Sequence, residues 1–282
     1  MRRTLVLTIA LAALAACEQQ PEGEPVVRAN LDGSGGEVLQ QESAQSTEGD
    51  EDAATEAASA CRKADFEGAA LTHCIADPAQ HRIATAFEQR GSTRYGSLAN
   101  YAQTVDATTI AFAINAGPNG DSGKPRGYYV EDKNRIVELN RSDGDSNFFL
   151  KPNGVFFGTG GTWRVLATPT FYSTIGDRPQ FGTQSGPMLV VDGKLHPEIA
   201  ENGPSRSVRS GVGVTADGKA HFVITDEPVS FGQIARFFRD EIKAKNALFL
   251  NSGGSTLWDP ATKRLDTGNV GAIIVVTKRN SQ

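Results

Sequence analysis

Short apolar runs separated by connectors rich in Gly, Asn and Asp recur from residue 69 to residue 277, and this pattern leaves little room for long helices. Runs at 69–75 and 81–87 flank an Asp77-Pro78 turn. Further strands are expected at 109–114, 154–157, 163–167, 187–191, 210–215, 221–225, 247–250 and 272–277. Helical spacing is confined to two places. Leu98, Tyr101, Ala102 and Val105 share one face of 97–105, and Ile234, Phe237, Phe238 and Ile242 recur behind Ser230 and Gln233, which have capping-box spacing. The expected class is α+β, a large mixed β-sheet core with a few covering helices in a single globular domain.

The N-terminus reads differently. Arg2 and Arg3, an apolar run over 5–16 broken only by Thr8, and small residues before Cys17 form a secretion signal, too short for a spanning helix. Leu14-Ala15-Ala16-Cys17 also matches the bacterial lipobox, in which Cys17 is lipidated and becomes the first mature residue; a plain signal peptide with an incidental cysteine is the alternative. Residues 1–17 are therefore expected to be a lipoprotein signal peptide. Glu18 after the cysteine gives no inner-membrane retention signal, so the expected address is a lipid anchor at the outer membrane, facing the periplasm.

Residues 18–60 lack aromatic side chains and carry eleven acidic residues against one arginine, a net charge of −10 compared with −5 for the whole chain. Low hydrophobicity with high charge predicts a disordered tether, with an acidic partner-binding tail as the alternative. The domain at 61–282 is then slightly basic and long enough for a sizeable core. Cys61 and Cys74 are the thiols left once Cys17 is acylated, and an oxidising compartment favours their pairing. No Cys-x-x-Cys or His-x-x-His spacing accompanies them, so no metal is expected. With neither a basic stripe nor interleaved aromatics, nucleic acid is not an expected partner.

The richest stretch is NALFLNSGGSTLW at 246–258, where an apolar strand runs straight into a polar, glycine-rich turn. Such a turn can aim backbone N–H groups and hydroxyls into a concavity and hold an anion. Five other segments accompany it: AFAINAGPNGD at 111–121, PRGYYVED at 125–132, NFFLKPNGVFF at 147–157, TQSGPMLVVDGKLHP at 183–197 and RSGVGVTADGKAHFVITDEPVSF at 209–231. In this order and spacing they resemble the phosphodiester glycosidase family, with the closest likeness to its bacterial envelope branch, over roughly 61–277. The family turn begins with Asp-Gly, whereas this chain has Asn251-Ser252. An amide cannot ionise, so Asn251 cannot act as base or nucleophile.

The resemblance implies hydrolysis of a sugar linked through its anomeric oxygen to a phosphodiester; no cofactor is expected. The departing phosphomonoester has a conjugate-acid pKa of ~6, so protonating it matters less than in ordinary glycosidases. Anion binding and water activation remain. Arg209, which matches the family's arginine motif, is the first choice for the anion, with Arg206 and Lys151 as helpers or solvated surface cations. Ser252, Gly253, Gly254 and Ser255 can add donors. Asn115, Asn147, Asn153 and Gln184 suit sugar hydroxyls, or alternatively cap strand ends and turns. With Asn251 at the aspartate position, Asp226 and Glu227 are the expected carboxylates for water, unless they serve as helix-entry charges; Glu131 and Asp192 are more remote. Ser185 lacks a Gly-x-Ser-x-Gly elbow, and the four histidines show no metal-like grouping. The expected function is an envelope lipoprotein that hydrolyses sugar-1-phosphodiester bonds of a glycan. The alternative is a silent glycophosphate-binding lipoprotein.

Overall fold

The computed structural model describes residues 58–89, 93–252 and 254–279. The signal segment, Cys17 and the acidic tract through residue 57 lie outside the described residues, as do Gly253 and the Ser252 side chain. At the start of the described chain Ser59 already donates to Asp259 at 2.6 Å.

The strands form three sheets. Seven lie in the order Cys61–Phe66, Ala69–Ala76, Ala220–Thr225, Arg209–Val214, Asn246–Ser252, Met188–Val191 and Lys194–Leu195. A second sheet of five runs Arg264–Leu265, Leu257–Asp259, Ile110–Asn115, Ile273–Lys278 and His81–Ala86. The third, also of five, runs Asn134–Val137, Tyr129–Glu131, Phe181–Ser185, Gly154–Thr159 and Thr162–Ala167. Every pairing among the described strands is antiparallel, so three antiparallel sheets replace the single mixed sheet expected from the sequence. The reason is local. Parallel neighbours usually join through a helical crossover of a dozen or more residues, and the α-helices among the described residues have only five to seven.

The inner faces of all three sheets meet in one core. Phe222 of the seven-stranded sheet packs edge-on against Phe112 of the second sheet at 5.3 Å and Phe156 of the third at 5.6 Å. Each outer face is covered by one short helix. Phe231–Arg236 and the π-turn Phe237–Glu241 bury Ile234, Phe237 and Phe238 against the seven-stranded sheet. Leu98–Ala102 sets Leu98 and Tyr101 on the second, and Thr168–Thr174 sets Phe171 on the third.

The Ser230 hydroxyl accepts from the Gln233 N–H at 3.1 Å, as the capping spacing predicts. Gln233 does not close the box, because its amide turns to the Phe66 and Glu67 carbonyls and pins the helix to the sheet edge. The expected helix at 97–105 is limited to Leu98–Ala102. Phe181–Ser185 is a strand that periodicity does not reveal, since Thr183, Gln184 and Ser185 are all buried.

Cys61 and Cys74 stand opposite each other in the register of the first two strands and form a disulfide. Closing this short loop restricts the unfolded chain. Reduction is therefore expected to cost about 3 kcal/mol, seen as a lower denaturant midpoint with reductant; equal midpoints would contradict it.

Candidate functional site

Three strands, one from each sheet, end together: Ile110–Asn115, Phe181–Ser185 and Asn246–Ser252. Three side-chain hydrogen bonds join the sheets in pairs there. The Ser210 hydroxyl donates to Asn115 Oδ1 at 3.0 Å, the Ser185 hydroxyl donates to the Leu250 carbonyl at 2.8 Å, and the Gly117 N–H donates to Thr183 Oγ1 at 3.2 Å. Asn115 Oδ1 also accepts the Thr256 N–H at 3.2 Å, and its amide nitrogen donates to the Ala116 carbonyl at 3.1 Å. The glycine-rich turn is thus hung from a buried asparagine. Ser255 braces it by donating to the Asn251 carbonyl at 2.7 Å.

Above this junction lies a cleft of about 190 Å³. Its walls include Asn119, Arg126, Ser146, Asn147, Phe249 and Asn251, with Gly186 contributing backbone. Local sequence explains the shape. The loop after Asn115 turns back so that the Arg126 N–H donates to the Pro118 carbonyl at 2.9 Å, bringing the guanidinium beside Asn119. A side chain at Gly186 would strike the Phe148 carbonyl, so glycine is needed there for the walls to approach, and a side chain at Gly271 would displace the Asn119 amide. Asn147 opens the 3₁₀ turn Asn147–Phe149, held in place because Phe148 is buried and its carbonyl accepts from Asn153 Nδ2 at 2.9 Å.

Among the described residues, the cleft wall carries one guanidinium and three asparagine amides, and none of the side chains is a carboxylate. Arg126 Nη2 meets Asp121 at 3.2 Å, but Asp121 is almost fully exposed, and such surface pairs contribute little. This guanidinium can turn to a better anion. Beneath the floor lies a second cation. Arg209 is 1 % exposed, with its guanidinium carbon 3.6 Å from the Phe231 ring centre and 5.7 Å from that of Phe249. It donates to the Val229 and Ser205 carbonyls, while Nη1 has no hydrogen-bond partner among the described residues. Burial pulls Arg209 down to about 10, which leaves it charged at neutral pH.

A family model described as phosphodiester glycosidase matches residues 108–277. The chain belongs to the phosphodiester glycosidase family. The uncharacterized protein YigE of Escherichia coli K12 is 28 % identical over 191 residues, which cover 64 % of this chain and 74 % of that protein. Among solved structures, the catalytic domain of zebrafish N-acetylglucosamine-1-phosphodiester alpha-N-acetylglucosaminidase, auto-inhibited by its pro-peptide, superposes with a TM-score of 0.52 at 13 % identity. That match covers 78 % of this chain and 82 % of the zebrafish chain, and shows a common fold. Three of the six glycosidase-like motifs, at 111–121, 183–197 and 246–258, supply the three strand ends at the junction.

The phosphodiester glycosidase fold sorts the expected site residues into several places. Asn147 and Asn251 line the cleft, and Gly254 and Ser255 form the turn beside Asn251. Asn115, Asn153 and Gln184 are buried and committed to internal bonds; Gln184 Oε1 accepts the Tyr128 and Asn140 N–H groups, and its nitrogen donates to Asn140 and Thr168. Arg209 lies behind Phe249 rather than on the wall, because its guanidinium stacks on Phe231 and donates to the Val229 and Ser205 carbonyls. Lys151 pairs with Asp143 and faces neighbouring pockets.

The two expected carboxylates do not reach the cleft. Asp226 is drawn to Lys63 at 2.9 Å and Arg264 at 2.8 Å; burial pushes its carboxyl up, but these cations outweigh that and hold it below the usual range. Glu227 lies with Arg206 in a separate groove that also includes Glu67 and Arg236. Glu131 accepts from the Tyr129 hydroxyl at 3.2 Å, and burial raises its carboxyl. Asp192 forms the expected hairpin turn with Gly193, both at positive φ. The histidines do not converge: His73 and His221 pair at 2.9 Å, whereas His81 and His196 accept backbone N–H groups elsewhere.

Arg126, Asn119 and Ser146 are cleft residues that the sequence reasoning missed. Arg126 and Asn119 fall inside two of the quoted motifs, where charge among small residues was the available signal. As an internal clamp Asn115 holds the buried Thr256 N–H, so Asn115→Ala leaves that donor without its acceptor, while the Ser210 hydroxyl falls back on the Asn251 carbonyl at 3.4 Å; the expected cost is about 1–3 kcal/mol in a denaturant titration. Unchanged stability with weakened sugar binding would instead make it a direct ligand contact.

Proposed function

We propose that this chain is an envelope lipoprotein, anchored through Cys17 at the outer membrane and facing the periplasm, whose domain hydrolyses sugar-1-phosphodiester bonds of a glycan. The observation that carries this reading is the cleft where the three sheets end, in which Arg126 stands among Asn119, Asn147 and Asn251. Family membership supports the reaction class, the zebrafish structure's name supports the substrate class, and the lipobox supports the address.

In the proposed reaction the guanidinium holds the phosphodiester, the amides hold sugar hydroxyls, and buried Arg209 adds positive potential from below. Water attacks the anomeric carbon as the bond to the phosphate oxygen breaks, releasing free sugar and a phosphomonoester that needs little protonation on leaving. The water's proton needs an acceptor. Asn251 can orient water but not take that proton. Asp145 and Glu198 line the adjoining pocket, which shares Ser146 and Asn147 with the cleft, and they take over the role first expected of Asp226 and Glu227.

One observation favours a second reading, binding without turnover: no carboxylate stands on the cleft wall among the described residues, and Asn251 stands where the family turn has its aspartate. Incubating the purified protein with a methyl diester of N-acetylglucosamine 1-phosphate separates the two. Hydrolysis predicts free sugar from the native chain and at least a hundredfold rate loss in the Asp145→Asn, Glu198→Gln double variant. Turnover only after Asn251→Asp would establish the binding protein. Neither binding nor turnover in either chain would reject both.

A further inference from the structure

A larger pocket of about 500 Å³ opens beyond the segment 146–151, between the loop carrying Arg141 and the helix Thr168–Thr174. Tyr172 stands in it 62 % exposed, more than any other large hydrophobic side chain among the described residues. The Arg141 guanidinium carbon lies 4.2 Å from the centre of the Tyr172 ring. Pro152 and Pro169 add apolar walls, and Lys151 lies at the edge, paired with Asp143.

Arg141 makes no hydrogen bond or ion pair among the described residues. Stacking uses the face of its guanidinium and leaves the N–H groups on the edge available to an acid. An exposed ring beside proline walls suits the C–H face of a pyranose, since it offers apolar area and has only two χ angles to order on binding. The pocket also continues the cleft. Ser146 and Asn147 line both the cleft and the pocket beside it, and Lys151 lines both that pocket and this one.

We propose that Tyr172 and Arg141 form a second sugar subsite, which takes a pyranose bearing a carboxylate, with the ring on Tyr172 and the carboxylate on Arg141. Asp145 and Glu198 in the intervening pocket disfavour an acidic sugar there and place the acidic unit at the Arg141 end. That this unit belongs to the glycan held in the cleft rests on the proposed function; the subsite itself does not.

The test is an NMR titration of the native protein, Tyr172→Ala and Arg141→Gln with methyl glucuronoside and its neutral counterpart, methyl glucoside. The native chain is expected to bind the glucuronoside at least fivefold more tightly. Arg141→Gln should abolish that preference while keeping the neutral affinity, and Tyr172→Ala should weaken both sugars at least fivefold. No binding to the native chain, a preference that survives Arg141→Gln, or variants indistinguishable from native would overturn the subsite. N-acetylglucosamine 1-phosphate serves as a separate probe of the cleft. Native protein that takes the glucuronoside but not the sugar phosphate supports the subsite and removes only the proposed reading of the cleft.

Discussion

The structure depends most on the closure of three sheets upon one another at a single end. Serine, threonine and asparagine there join the sheets in pairs, through Ser210 to Asn115, Ser185 to Leu250 and Gly117 to Thr183. An apolar junction would pack as well but would leave the strand-end backbone groups unsatisfied. Because the donors and acceptors must meet in register, the strand ends are held at fixed positions, and the loops leaving them converge on the cleft. Phe222, between Phe112 and Phe156, supplies the hydrophobic part of the same closure.

Electrostatics at the cleft follow from this closure. Arg209 sits on a buried strand and is shielded by Phe231, so its charge acts on the cleft without the mobility of a surface arginine. Arg126 is the reverse, a partly exposed guanidinium held by the Asn119 carbonyl, an exposed aspartate and the Phe149 ring, whose centre lies 5.8 Å from its guanidinium carbon. One cation beneath and one at the wall suit an anionic ligand.

Most strands were legible because each apolar run is buried on at least one face and bounded by turn residues, as at 154–157 and 221–225. The Ser230 cap was legible for the same local reason. Less visible were features fixed by distant partners. Phe181–Ser185 is a strand of buried polar residues, satisfied across sheets, which no periodicity reveals. Asn251 and Asn147 were read as cleft residues from the turn and motif that carry them. Asp226 and Glu227 were placed there by proximity to the helix entry, but Lys63 and Arg264 hold the first elsewhere and a separate groove takes the second. Arg126 went unnoticed because its position depends on a loop that folds back after Asn115.

The most direct measurement is a crystal structure of the protein soaked with N-acetylglucosamine 1-phosphate. The phosphate is expected within hydrogen-bonding distance of the Arg126 guanidinium, with the sugar against Asn147 and Asn251. Ligand bound in the groove of Arg206 and Glu227, with the cleft at the sheet junction unoccupied, would contradict it.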